Sequence, residues 1–217
     1  MRMRCDVVNL ELLLEDESMK NAVRLLLPKI LGQLRSGARY HVAYRTFRGK
    51  YTLLKRLKTL LKGYAARIRD GETLRVIVLL DRDTDDCTKL KQKLEKIAAT
   101  TGLVVRSKAA EAQPFQVLNR IAISELEAWF LGDPEAISQA YPKTRAVLAQ
   151  QSRRLQKPDD IDDAWEALEK ILKQSSYRSY DLSKPYVAER IAKHMQPERN
   201  RSESFQVFCE GLKACLT

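Results

Sequence analysis

The sequence is poor in the residues that build metal–sulfur or disulfide chemistry. Its four cysteines, Cys5, Cys87, Cys209 and Cys215, form no C-x-x-C pair, and the only histidines are His41 and His194. That spacing argues against a structural zinc site, and scattered thiols suit a reducing compartment. No apolar run approaches the roughly 18 residues that span a bilayer. Met1–Asp6 is followed by a strand pattern and lacks the apolar core and cleavage site of a secretory signal, so a cytoplasmic protein is expected. There is no P-loop, which leaves nucleotide hydrolysis to a partner. Internal repeats, low-complexity tracts and linkers are missing too. KPDDIDD, residues 157 to 163, is the most loop-like stretch.

What remains is an ordinary globular composition. Of 217 residues, 44% are hydrophobic and 31% charged, enough for one domain with at most a small added lobe. The charge is lopsided: 39 basic against 28 acidic residues give a net +11. Such an excess favours polyanions, so nucleic acid is the expected partner and a membrane is not.

Apolar periodicity divides the chain. Residues 5 to 14 (CDVVNLELLL) read as a strand. Ser18 is placed to cap the next helix, with Pro28 expected to kink or divide it. Residues 38 to 45 alternate and read as a second strand, at a sheet edge. Lys50 to Ile68 keeps helical spacing at Leu53, Leu57, Leu61 and Tyr64, with Lys55, Arg56, Lys58 and Lys62 on the opposite face. TLRVIVLL, residues 73 to 80, is the continuous apolar run of a strand buried on both faces. A helix through Leu90 and Leu94 follows, then short strands LVVR (103 to 106) and VLNRIAI (117 to 123). The last third reads as helical, with starts at Asp162 or Asp163, at Pro185, and at Ser202 or Ser204. Strands alternating with helices predict an α/β sheet.

Three acidic groups share one position in this pattern. Glu15 follows the first strand, Asp81, Asp83, Asp85 and Asp86 follow the central one, and Glu125 and Glu127 follow the last. In an open α/β sheet the carboxyl ends of parallel strands are where functional groups gather. In extended chain, Asp81 and Asp83 would point the same way and repel, unless a cation compensates. Hard oxygen donors without histidine or cysteine suit Mg²⁺ or Mn²⁺. Each acid also has a plain alternative. Asp85 or Asp86 is placed to cap the following helix, and Ser124-x-x-Glu127 matches a capping box. Arg45, Arg48 and Lys50 extend the basic helix face into a candidate nucleic-acid surface of Arg45, Arg48, Lys50, Lys55, Arg56, Lys58 and Lys62, whose plain alternative is a solvated exterior. Lys108 would stabilise a phosphate only if the fold brings it to the acids. Trp129 and Trp165 read as core anchors.

The stretches LLLEDESMKNAVRLLLPKIL, LLDRDTDDCTKLKQKL, RIAISELEAWFLGD and RSESFQVF span most of the chain. Together they resemble a Toprim-like bacterial family of unknown function, related to Toprim nucleases of the overcoming-lysogenisation-defect type. The resemblance implies a Toprim-like, mostly parallel sheet flanked by helices over residues 1–132. A helical extension over 133–217 would pack on that core. It implies Mg²⁺-dependent (or Mn²⁺-dependent) nuclease chemistry, with Glu15, Asp81 and Asp83 catalytic. The same three, with Asp85, Glu125 and Glu127, are the metal ligands it implies, and the choice between Glu125 and Glu127 stays open. An ATPase partner and a phage-defence setting are implied as well; the oligomeric state is not. Many Toprim proteins carry Gly where this chain has Asp16, and aspartate tolerates positive φ better than most residues. None of the eight tyrosines carries a nucleophile motif, so hydrolysis by water is expected rather than strand passage. Two competing classes are a non-catalytic subunit that docks an ATPase or nucleic acid, and a phosphotransfer receiver or phosphatase.

Overall fold

Four short apolar runs pair as one parallel sheet in the order β2-β1-β3-β4. The computed structural model describes residues 7–32, 39–110, 113–178 and 182–216. Strands are β1 (Val8–Leu14), β2 (Tyr40–Thr46), β3 (Leu74–Asp81) and β4 (Val117–Ala122). The expected strand starts at Cys5, Asp6 and Ala38 lie outside the described residues. Between the strands run α1 (Glu17–Leu31), α2 (Lys50–Arg69) and α3 (Cys87–Ala99). After β4 the described chain is helical: α4 (Leu126–Leu131), α5 (Pro134–Ala140), α6 (Arg145–Gln150), α7 (Ala164–Gln174), α8 (Lys184–Ala192) and α9 (Glu203–Ala214), with short 3₁₀ turns between some of them.

Topology decides which face each helix covers. The step from β1 to β2 runs one way along the sheet, and the steps to β3 and β4 run the other. Parallel crossovers are right-handed, so reversing direction moves the helix to the opposite face. Accordingly α1 packs with Leu10, Leu12, Leu14, Ile77 and Leu79. On the other face α2 and α3 pack with Leu13, Val76, Val78 and Leu80. Helices α4 to α9 share the α1 face and bury their apolar sides in the same cluster. The reversal also makes the β1/β3 pair a topological switch point, the place beyond the carboxyl ends where open α/β sheets gather functional groups.

Both outer strands are managed edges. β2 alternates half-buried and exposed residues, with His41, Ala43 and Arg45 outward. At β4 the carbonyl of Asn119 accepts from Lys91 Nζ at 2.7 Å and Arg120 Nη1 at 3.0 Å, so two basic side chains blunt the edge.

Local chemistry corrects several expectations. The cap of α1 is Asp16, whose side chain accepts from the Met19 N–H at 2.8 Å; Ser18 is buried inside the helix. Asp16 has φ −150°, so its position needs no glycine-like turn. Pro28 lies within α1 and does not divide it; the helix ends only three residues later, at Leu31. LVVR forms no strand: Val105 makes a single bridge to Val117, and the chain coils into a 3₁₀ turn at Arg106–Lys108. Ser124 adopts φ 61°, which shifts the start of α4 to Glu125 and breaks the expected capping box.

The motif RSESFQVF is explained by packing. Ser202 caps α9 and donates to Asp159 Oδ1 at 2.6 Å, while the Ser204 N–H reaches Asp159 Oδ2 at 2.7 Å. Ser204 Oγ also accepts from Trp129 Nε1 at 2.8 Å. Trp129 is fully buried against Phe205 and Phe208, as expected of a core anchor.

Candidate active site

The carboxyl ends of β1 and β3 place Glu15 and Asp81 side by side. Glu15 Oε2 accepts the backbone N–H of Asp81 at 3.1 Å. The Asp81 carboxylate, at the last position of β3, belongs to the α1 face of the sheet by strand alternation. Its Oδ1 is sealed from solvent with no hydrogen-bond partner. Burial pushes Asp81 well above the usual carboxylate range, and the charges of Glu127, Glu15, Asp16 and Asp83 push it further. Glu15 is raised too, by burial first; the Asp81 N–H opposes this and Asp83 adds to it.

Glu127, in the first turn of α4, is only 2% exposed. Burial raises its carboxyl to about 7, against the pull of Lys184 and with a push from Glu125. Glu125 stands at the entrance of the cluster. It accepts the Trp165 N–H at 2.8 Å and pairs with Lys184 Nζ at 3.1 Å. The Lys184 ammonium also lies 5.4 Å from the centroid of the Trp165 ring. Burial alone would lower Lys184, but Glu127 and Glu125 outweigh it and leave it raised.

Asp83 and Asp85 are arranged differently from the expectation. Asp83 sits at φ 49°, tied to the next strand's end by its N–H to the Ser124 carbonyl at 2.8 Å. The chain is therefore not extended from Asp81 to Asp83, and the two do not share a direction by strand alternation. Lys50 Nζ instead draws Asp83 to 2.8 Å and Asp85 to 2.6 Å, and donates to the Arg82 carbonyl at 3.0 Å. Asp86 is the helix cap, accepting from the Lys89 N–H. A cavity of about 390 Å³ opens between the Arg82–Asp85 turn, Ser124–Glu125 and Asp162–Asp163.

The structure thus gathers Glu15, Asp81 and Glu127, with Asp16, Asp83, Asp85 and Glu125 around them, against Lys50 and Lys184. All donors are hard oxygens, and Asp81 Oδ1 is orphaned, which fits a hard divalent cation. Among the described residues no three His, Cys, Asp or Glu side chains form a ready-made metal cage. Lys184 and Trp165 were not legible as site residues: they enter from 59 and 40 positions beyond Glu125. The one local signal was Pro185, which fixes a helix start beside Lys184.

The basic residues divide by position. Arg45, Arg48, Lys55, Arg56, Lys58 and Lys62 are exposed, whereas Lys50 is consumed by the acids. α2 starts at the carboxyl ends and runs back, so Arg48 and Lys55 lie nearest the site and Lys62 farther away. Lys108 lies with Val105 near the amino end of β4, at the end of the sheet opposite the acids.

The raised carboxyls carry a stability consequence. A carboxyl whose folded pKa exceeds its unfolded value binds more protons in the native state, so stability falls as pH rises between the two values. For Glu127 that window runs from its ordinary 4.5 to about 7. The metal-free protein is expected to lose stability from pH 5 to pH 8. Glu127→Gln should recover on the order of 2–3 kcal/mol at pH 8 and little at pH 4. Urea midpoints at both pH values measure it, and equal effects at both would refute the assignment.

A family model described as "Domain of unknown function (DUF4276)" matches residues 14–213. No curated protein and no solved structure matches the chain.

Proposed function

We propose that this chain, which belongs to the DUF4276 family of domains of unknown function, is a divalent-metal-dependent nuclease of Toprim-like character. The observation that carries the reading is that Glu15 and the buried Asp81 come together at the carboxyl ends of β1 and β3, with Glu127 near enough to push Asp81 up and with Asp81 Oδ1 left without a partner. Carboxylates raised first by burial, and at Asp81 further by the charges around it, are costly to ionise, and a dication is a partner that would offset that cost. Asp81, Glu15 and Glu127 would hold Mg²⁺ or Mn²⁺, with Asp83 and Glu125 next in reach. A bound ion there would make a water easier to deprotonate to the attacking hydroxide and would provide a counter-charge for the leaving oxygen. The chain's own residues do the rest. Glu15, raised by burial and held in place by the Asp81 N–H, is suited to take a proton. The exposed cations Arg45, Arg48, Lys55 and Arg56 line the approach for a phosphate backbone.

The test is cleavage of supercoiled DNA, linear DNA and RNA with Mg²⁺ or Mn²⁺, compared with an Asp81→Ala/Asp83→Ala variant. Metal-dependent cutting lost in the variant is the expected result; cutting that persists identically in the variant defeats the reading.

A second reading has its own support. Lys50 and Lys184 already pair with Asp83, Asp85 and Glu125. That arrangement favours a non-catalytic subunit whose acids are held by internal lysines and whose work is docking nucleic acid or an ATPase. It predicts salt-sensitive binding without cleavage in the same assay.

A further inference from the structure

Tyr51 is 78% exposed, the most open of the large hydrophobic side chains among the described residues. A single exposed aromatic is common on protein surfaces and by itself needs no explanation. Here its surroundings give it one. Tyr51 is in the first turn of α2, directly after Lys50, whose ammonium reaches Asp83 and Asp85. Tyr51 therefore follows in the chain the residue that reaches the acids, and its own ring is open to solvent. Lys55 is four residues on, so it shares the Tyr51 flank of the helix, and it is exposed, as is Arg48 just before the helix. The first turn of α2 contains no acid.

Neighbouring rings are spoken for, and this one is not. Phe47 is covered by Arg56 at 6.0 Å, and Tyr64 by Arg67 at 5.5 Å. Among the described residues no ring or cation stacks on Tyr51. A free π-face bordered by cations, beside a phosphodiester site, matches what a splayed-out base needs. Stacking supplies affinity without sequence preference, and lysine and arginine follow the backbone. A duplex has its base faces already paired off in its own stack, so such a ring discriminates strand from duplex.

We infer that Tyr51 is a stacking platform for an unpaired base, and that the site's substrate is single-stranded nucleic acid. This rests on the nucleic-acid reading above but not on hydrolysis. The experiment is therefore done without metal, in EDTA, by fluorescence anisotropy with a labelled DNA 12-mer, the equivalent RNA and the DNA duplex. Wild-type protein is expected to bind the strands more tightly than the duplex. Tyr51→Ala should weaken strand binding about tenfold or more and duplex binding within about twofold, matching the loss of one stacked base. Tyr51→Trp should restore strand binding. An open ring buries little on folding, so an unchanged thermal midpoint is expected for both variants. Arg48→Ala should weaken strand and duplex together and flatten the salt dependence.

Four results overturn the inference: Tyr51→Ala binding strand like wild type; equal losses on strand and duplex; preferred binding of duplex by wild type; or no nucleic-acid binding, which points this face to a protein partner instead. A protein that binds strand through Tyr51 yet cuts nothing with Mg²⁺ or Mn²⁺ keeps the inference and loses the hydrolytic reading.

Discussion

Asp81→Asn is expected to abolish metal-dependent hydrolysis and, in the same molecule, to make the protein more stable. The two effects have one cause. Burial is the main reason Asp81 is costly to ionise, and the charges of Glu127, Glu15, Asp16 and Asp83 add to it. Its Oδ1 has no donor, so the charged form is unpaid on that side. Asparagine keeps the shape and removes the charge, and its amide nitrogen brings donors into a shell of carboxylates. We expect a gain of about 1–3 kcal/mol at pH 8 by urea unfolding without metal. The sign with pH is fixed. At low pH both states are protonated and the substitution changes little; the gain grows as pH rises from the ordinary carboxylate value toward the raised folded one and levels off above it. Against this, if the proposed nuclease reading holds, removing Asp81 as a ligand should cut the rate by at least about a thousandfold, since a bound ion would supply several kcal/mol of transition-state stabilisation. Added Mg²⁺ should raise the wild-type melting temperature and leave the variant's unchanged. An Asp81→Asn protein that is less stable at pH 8, or that still gains stability from Mg²⁺, would remove Asp81 from the centre of the site.

Such tension between folding and chemistry explains which parts of the site could be read from sequence. A carboxylate directly ending an apolar strand is a local conflict, visible in LLLE and VLLD, and the parallel sheet brings those two ends together. Likewise α2 and α3 follow from spacing alone, and Pro185 and Ser202 mark helix starts where the structure has them. Other features depended on distant partners. Asp83 leaves the strand direction because a left-handed turn and Lys50, 33 positions earlier, decide its orientation. Glu125 is paired with a lysine in the C-terminal helical part. LVVR has the composition of a strand but meets β4 at one bridge only, since Arg120, Lys91 and α9 occupy that edge. Ser18 was the expected cap by residue type; it belongs to the buried face of α1, and Asp16 caps the helix instead.

Asp133→Ala is expected to be the most destabilising single substitution argued for this protein, costing about 3–5 kcal/mol. Asp133 has no exposed surface, yet four donors converge on it: the N–H groups of Ala136 at 3.1 Å and Gln196 at 3.0 Å, and Arg199 through Nε at 2.7 Å and Nη2 at 2.9 Å. One carboxylate therefore caps α5, fixes the turn after α8 and neutralises a guanidinium. Alanine leaves the Ala136 and Gln196 N–H groups without their acceptor, whereas Arg199, itself exposed and still bonded to the His194 carbonyl, can be rehydrated; the lost N–H bonds and the emptied carboxylate site carry most of the cost. Since domains of this size are stable by only about 5–15 kcal/mol, the loss is a large share of the total. Asp133→Asn should cost less, because its carbonyl oxygen still caps α5. Arg199→Ala should also cost less, because both N–H bonds survive. Urea midpoints order the three, and an alanine variant within about 1 kcal/mol of wild type would contradict the account. The consequence reaches the acids. The Asp133–Gln196–Arg199 knot anchors the end of α8, and the start of α8 delivers Lys184 to Glu125. Loosening a buried pair at one end of that helix is therefore expected to release the counter-charge at the other, so that Asp133→Asn, while still folded, shifts the pH dependence attributed to Glu127 upward.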